Sequence, residues 1–121
     1  MGTRRVLVVD DNPDSAGAIA FLLKLSGHEV QIAHDGAGAI ALARRMRPDF
    51  LFLDLSLPGM DGFEVARQLK AEPGFDGMRI IAVTGSGNED DRQRSLEAGI
   101  EVFLVKPVDP SFLDSLLGGR R

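Results

Sequence analysis

The stretch FLFLDLSLPGMDG, Phe50–Gly62, runs four strand-forming apolar side chains into an acid, Asp54, and follows them with turn residues. Phe50 to Leu53 is apolar at every position, the pattern of a short strand covered on both faces rather than on one. Pro58-Gly59 then suits a turn and Asp61-Gly62 a helix cap, after which Phe63, Ala66 and Leu69 recur at helical spacing. Strand, turn and helix in that order make one βα unit.

The same unit repeats outward in both directions. Apolar runs at Val6 to Val9, Val30 to Ala33, Ile80 to Val83 and Val102 to Val105 each precede a helix-like segment. The first helix has Asn12 or Asp11 as cap, Pro13 at its first turn and Gly27 as its stop, with Ile19, Leu22, Leu23 and Ser26 on one face. The second runs from Ala37 to Met46 and ends before Pro48. The fourth, Glu89 to Ala98, is nearly all polar; Leu96 is its one large apolar side chain, so little burial anchors it and it is a candidate moving part. The fifth begins at Asp109 and Pro110, presents Phe112, Leu113, Leu116 and Leu117, and ends at Gly118-Gly119.

Four of the five runs read as strands covered on both faces, whereas Glu29-Val30-Gln31-Ile32 alternates polar with apolar and belongs at an edge. Right-handed crossovers and an edge second strand favour an α/β fold with a doubly wound five-stranded parallel sheet in the order 2-1-3-4-5, a flavodoxin-like (βα)5 unit. With 121 residues the chain fits one domain, 1–121, with one substantial core.

Composition excludes several classes. Hydrophobic residues at 44% and charged residues at 26% are ordinary for a globular protein, and no apolar run is long enough to span a bilayer. Arg4 and Arg5 lead into a run that stops at Asp10-Asp11, which is no signal peptide, so a cytoplasmic location is the default. The absence of cysteine removes disulfides and thiolate metal sites. A net charge of −4 argues against direct nucleic-acid binding, with Arg120 and Arg121 read as a solvated tail.

In a sheet of this kind ligands sit at the carboxyl ends of the strands, beside the switch point between strands one and three. The residues that follow the apolar runs there are Asp10-Asp11, Asp54, Thr84 and Lys106. Three converging carboxylates repel one another, and a divalent ion relieves the conflict. Oxygen-only donors select a hard cation, Mg²⁺ or Mn²⁺. Three carboxylates against a divalent ion and one ammonium sum to zero formal charge, leaving a site able to take an anion, with phosphate the obvious candidate. Asp54 is then the nucleophile that forms an aspartyl phosphate. Asp10 and Asp11 hold the metal, with Asp11 favoured as the direct ligand, while Thr84 donates its hydroxyl to one phosphoryl oxygen and Lys106 pairs with another.

Four pieces, Val8-Val9-Asp10-Asp11, Asp54 to Gly62, Val83-Thr84-Gly85 and Lys106-Pro107, stand in this order at four strand ends. Over essentially the whole chain they resemble the receiver domain of bacterial response regulators in two-component signalling, the chemotaxis regulators among them. The resemblance implies Asp54 as phosphoacceptor, Asp10 and Asp11 as the acidic pair, and a metal site completed by Asp54 and the backbone carbonyl of Ser56. It implies Thr84 as the switch hydroxyl, Lys106 as the paired lysine and Phe103 as an aromatic that turns between outward and inward positions. Phosphoryl then comes from a histidine kinase or phosphotransfer protein with Mg²⁺, and the domain hydrolyses its own acyl phosphate without being an enzyme in the usual sense. Output runs through the surface of helix four, strand five and helix five, to an effector or a second copy, with no role for nucleic acid or membrane. Ser56, Ser86 and Phe103 depart from common family choices at positions that modulate the lifetime of the phosphorylated state.

Rival readings each lack a residue. A receiver kept only as a phosphate-independent docking module has no need of the intact Asp-Asp-Asp-Thr-Lys set. A phosphatase resembling the haloacid dehalogenases needs an acid two residues after the nucleophile, where Ser56 stands. A flavin carrier fails because Asp10-Asp11 repels the phosphate its first loop must cradle. His28 and His34 flank the second strand and read as surface histidines far from the acidic rim.

Overall fold

A computed structural model describes residues 4–57, 59–85, 88–106 and 108–117. Among these, β1 (Arg5–Val9), β2 (Glu29–Ala33), β3 (Phe50–Asp54), β4 (Arg79–Thr84) and β5 (Val102–Val105) alternate with α1 (Pro13–Leu25), α2 (Gly36–Met46), α3 (Gly62–Lys70), α4 (Glu89–Glu97) and α5 (Pro110–Leu116). All strand pairs are parallel, and the order is β2-β1-β3-β4-β5. The expected doubly wound sheet and its edge second strand are both present.

Strand periodicity divides the core between two faces. Leu7, Val9, Leu51, Leu53, Ile80 and Ala82 point to the side covered by α2 and α3, against Ile40, Phe63 and Leu69. Val6, Val8, Phe50, Phe52, Ile81 and Val83 point to the other side, against Ile19 and Leu23 of α1 and Leu113 and Leu117 at α5. β5 departs from the expectation of coverage on both faces. Its residues are only half-buried and Val105 is exposed, because it is the outer strand and has no neighbour beyond it.

The helix boundaries follow local chemistry. The Asn12 side chain accepts from the amides of Asp14 and Ser15, Pro13 opens α1, and Gly27 leaves it at φ +91°. The buried face of α1 is Ala16, Ile19, Ala20 and Leu23; Ser26, expected on it, is the exposed C-cap. Asp35 caps α2, and Arg47 ends it in the left-handed region, φ 51°, just before Pro48. At the start of α3, glycine is required by close approach, since a Cβ on Gly62 would lie 2.8 Å from both the Asp54 carbonyl oxygen and the Leu55 Cα.

Two helices differ from the reading of their apolar residues. In α4 only Ser95 is buried, and Leu96 is 63% exposed, so it contributes no anchor at all. The helix is docked instead by arginines: Arg94 lies 4.1 Å over the Phe63 ring and 3.8 Å from the Asp61 carboxylate, and Arg92 lies 4.8 Å over Phe103. In α5, Phe112 is exposed while Leu113 and Leu117 enter the core. Gly118-Gly119, expected to stop it, lie outside the described residues.

Candidate functional site

Parallel register levels the carboxyl ends of the strands. Val9 pairs with Leu53, Asp54 with Val83 and Thr84 with Val105, so the residues at or just beyond these ends meet on one rim. One carboxylate oxygen from each of Asp10, Asp11 and Asp54 lies within 4.8 Å of the others. Asp10, Asp54 and Thr84 are buried, and Asp11 is exposed. Lys106 reaches across from beyond β5, its Nζ 3.0 Å from Asp10 Oδ2 and 3.4 Å from Asp54 Oδ2. The sequence-predicted acids and lysine are therefore brought together across the sheet.

Backbone amides hold the carboxylates in place. The Ser56 amide donates to Asp54 Oδ1 at 2.9 Å and the Asn12 amide to Asp10 Oδ1 at 3.0 Å. Beyond Asp54, the Gly62 amide donates to the Leu55 carbonyl at 3.3 Å and folds the following loop back on itself. Lys106 is tied through its own amide to the Thr84 carbonyl at 2.8 Å, which couples the ends of β4 and β5.

Proton affinities at the site split in a physically ordered way. Burial raises the Asp54 pKa, and neighbouring Asp10 adds to the rise against the opposing Ser56 amide and Lys106. Burial also works against charge on Asp10, but the Asn12 amide and the Lys106 ammonium outweigh it, and its carboxyl falls below the ordinary aspartate value. Lys106 likewise overcomes its burial, held protonated by Asp10 and Asp54. Of the two buried acids, Asp54 is therefore the one that takes up a proton more readily. The donors are oxygen only, so the set fits a hard divalent ion such as Mg²⁺ and gives a soft metal no sulfur ligand.

The remaining predicted residues fall nearby or outside. Ser56 is exposed on the loop after Asp54. Phe103 is half-buried under the Arg92 guanidinium. Pro58, Ser86, Gly87 and Pro107 lie outside the described residues. One expectation is overturned: His34 is not far from the acidic rim, since its Nδ1 lies 3.0 Å from the Asp10 carbonyl oxygen. The cause is strand pairing. Val9 pairs with Ala33, and the Asp10 amide donates to the Ala33 carbonyl at 3.1 Å, so the residues just past β1 and β2 are neighbours. That the two residues adjoin was legible in the expected strand order, because Asp10 and His34 each directly follow neighbouring strands; the contact on the Asp10 carbonyl was not.

A groove of about 480 Å³ between α1 and α5 opens beside Lys106, with Ile19, Leu22, Val108 and Leu113 among its walls. On α1 itself, Phe21 and Leu25 are exposed.

Residues 6–117 match the family model for the response regulator receiver domain. The chain is 39% identical over 109 residues to the response regulator PleD of Caulobacter vibrioides, covering 90% of this chain but only 24% of that protein. It thus spans about a quarter of PleD's length. It is 35% identical over 109 residues to protein PilH of Pseudomonas aeruginosa, covering 90% of each. Among solved structures it resembles the chemotaxis response regulator CheY4 of Vibrio cholerae, with a TM-score of 0.89 and 29% identity over 96% of this chain and 97% of that one. It also resembles the receiver domain of the sensor histidine kinase PA1611 of Pseudomonas aeruginosa, which has a magnesium ion coordinated in its active site cleft. There the TM-score is 0.87 and the identity 32%, over 96% of this chain and 95% of that one.

Proposed function

This chain belongs to the response regulator receiver domain family, and on that footing we propose that it is a phosphorylation-driven switch whose phosphoacceptor is Asp54. The observation that carries the reading is the meeting of Lys106 with Asp10 and Asp54, beside Asp11, at the carboxyl ends of a parallel sheet. A carboxylate oxygen of Asp54 attacks phosphorus, and the bond to the donor's imidazole nitrogen breaks as the Asp54 acyl phosphate forms. Attack by water on that phosphorus later returns the carboxylate and inorganic phosphate. Asp10, Asp11, Asp54 and the backbone carbonyl of Ser56 would hold Mg²⁺, which when bound supplies positive charge against the carboxylates and the phosphoryl oxygens.

The residues of the chain divide the work. Lys106, already aligned on Asp54, exchanges a carboxylate contact for a phosphoryl oxygen, and the Thr84 hydroxyl donates to another. Thr84 ends β4, so drawing it inward shifts the segment that leads to α4, and Phe103 turns into the space vacated. The surface formed by α4, β5 and α5 then changes for an effector or a second copy. The donor is a histidine kinase or phosphotransfer protein in the cytoplasm, and it docks across α1, where exposed Phe21 and Leu25 and the groove beside Lys106 offer apolar contact next to Asp54. Among the described residues no helix is long and apolar enough to cross a membrane.

The test is incubation with acetyl phosphate, with and without Mg²⁺, scored by acid-labile labelling and by NMR of Phe103 and α4. Labelling that needs Mg²⁺ and vanishes in Asp54→Asn is the expected result. Undiminished labelling of that variant would sink the assignment, and absence of any Mg²⁺-dependent change in the unsubstituted chain would leave a phosphate-independent docking module.

A further inference from the structure

The acidic pair sits on a short loop, and whatever fixes that loop's backbone decides where Asp11 points. Asp11 is exposed, yet its carboxylate lies within reach of Asp10 and Asp54. The peptide between Asp10 and Asp11 is planar, so the direction of the Asp10 carbonyl also sets the plane from which the Asp11 Cα departs. Upstream of that peptide the Asp10 amide is fixed on the Ala33 carbonyl at 3.1 Å. Downstream, the Asn12 amide is fixed on Asp10 Oδ1 at 3.0 Å. The carbonyl between these two anchors is gripped by a side chain from another element, His34, through Nδ1 at 3.0 Å. A carbonyl oxygen only accepts, so the contact requires the hydrogen to be on Nδ1.

We propose that His34 is a positioning residue for the cation site: its Nδ1–H, by holding the Asp10 carbonyl, orients the Asp10–Asp11 peptide and so aims the Asp11 carboxylate at Asp10 and Asp54. The inference rests on the reading of Asp10, Asp11 and Asp54 as a divalent-cation site, and it assigns to β2 a share in building that site. His34 touches neither the cation ligands' carboxylates nor a reacting atom; it acts through one peptide plane. Groups that orient metal ligands typically change affinity by about 10–100-fold. For an exposed ring acting through backbone, the expected loss is smaller, about three- to tenfold.

The experiment is titration of the full chain with MgCl₂ alone, followed by NMR of the Asp10–Asn12 amides, for the unsubstituted protein, His34→Ala, His34→Asn and Asp11→Asn. Asparagine places an N–H donor on the same bonded path as Nδ1 and retains the grip. Expected is a three- to tenfold weaker Mg²⁺ affinity for His34→Ala, with most of it restored in His34→Asn. In acetyl phosphate assays the half-saturating Mg²⁺ concentration should rise in step for His34→Ala, with the rate at saturating Mg²⁺ preserved. Unsubstituted affinity in His34→Ala, or equal loss in His34→Ala and His34→Asn, overturns the inference while leaving the site intact. An unsubstituted protein that binds Mg²⁺ no better than Asp11→Asn removes the site as read, and the role of His34 with it.

Discussion

At the scale of single residues, the informative pair is Asp10 and Asp54. They are neighbours at one rim, but the proton affinity of Asp54 is raised by its burial and by Asp10, while that of Asp10 is lowered by the Asn12 amide and Lys106 against its own burial. A raised pKa in the folded state means that the fold binds the Asp54 proton more tightly than the unfolded chain does. That contribution to stability is present at low pH and lost as pH rises through the raised value. Asp10 runs the other way, its contribution present above the ordinary aspartate pKa and lost as pH falls through the lowered one. Replacing Asp54 alone isolates the first effect. In EDTA, Asp54→Asn should melt a few degrees above the unsubstituted protein at pH 7, a shift of the size expected from about 1 kcal/mol in a domain of this length. The difference should shrink as pH falls through the raised value and vanish only below the ordinary aspartate pKa, where Asp54 is protonated in the folded and unfolded chain alike. Thermal unfolding across that range checks it, and a variant that melts lower at pH 7 contradicts the sign.

At the scale of elements, α4 and α1 carry unlike surfaces. The apolar count of α4 correctly foretold weak burial, but what holds the helix was not legible there. Arg92 and Arg94 look like solvated charges in a polar run, yet they stack on Phe103 and Phe63, and Arg94 also reaches Asp61, the cap of α3. Periodicity reports which face is apolar; it does not report a cation finding a ring on another element. Because Arg94 ties α4 to the loop that follows Asp54, its loss should loosen the helix selectively. Hydrogen exchange of the α4 amides in Arg94→Ala should speed by about fivefold, as expected for losing about 1 kcal/mol of cation–π contact. Leu96→Ala should leave it nearly unchanged, the side chain being 63% exposed. For α1, the exposed Phe21 gives a separate test of donor docking. Phe21→Ser should slow phosphoryl transfer from the cognate donor protein by tenfold or more, as for loss of an aromatic contact costing about 1.4 kcal/mol at an interface. Labelling by acetyl phosphate, which needs no docking surface, should be unaffected.

At the scale of the whole molecule, cation binding and folding stability are linked, because the three carboxylates converge only in the folded chain. Mg²⁺ at tenfold above its dissociation constant should add about 1.4 kcal/mol of stability, read as a rise of several degrees in melting temperature that EDTA reverses. Asp11→Asn should abolish most of that rise. The sequence by itself determined the five βα units, the edge position of the second strand and the carboxylates, hydroxyl and lysine at the strand ends. Those features follow from hydrophobic period, turn chemistry and the rule that parallel strands share one carboxyl rim. Tertiary structure alone decided the contacts that join residues distant in sequence. It buried Asp10 and exposed Asp11, moved the proton preference to Asp54, docked α4 through arginines and set His34 on the Asp10 carbonyl. Each of these depends on the distance and dielectric surroundings between groups on different elements, which spacing along a chain does not encode.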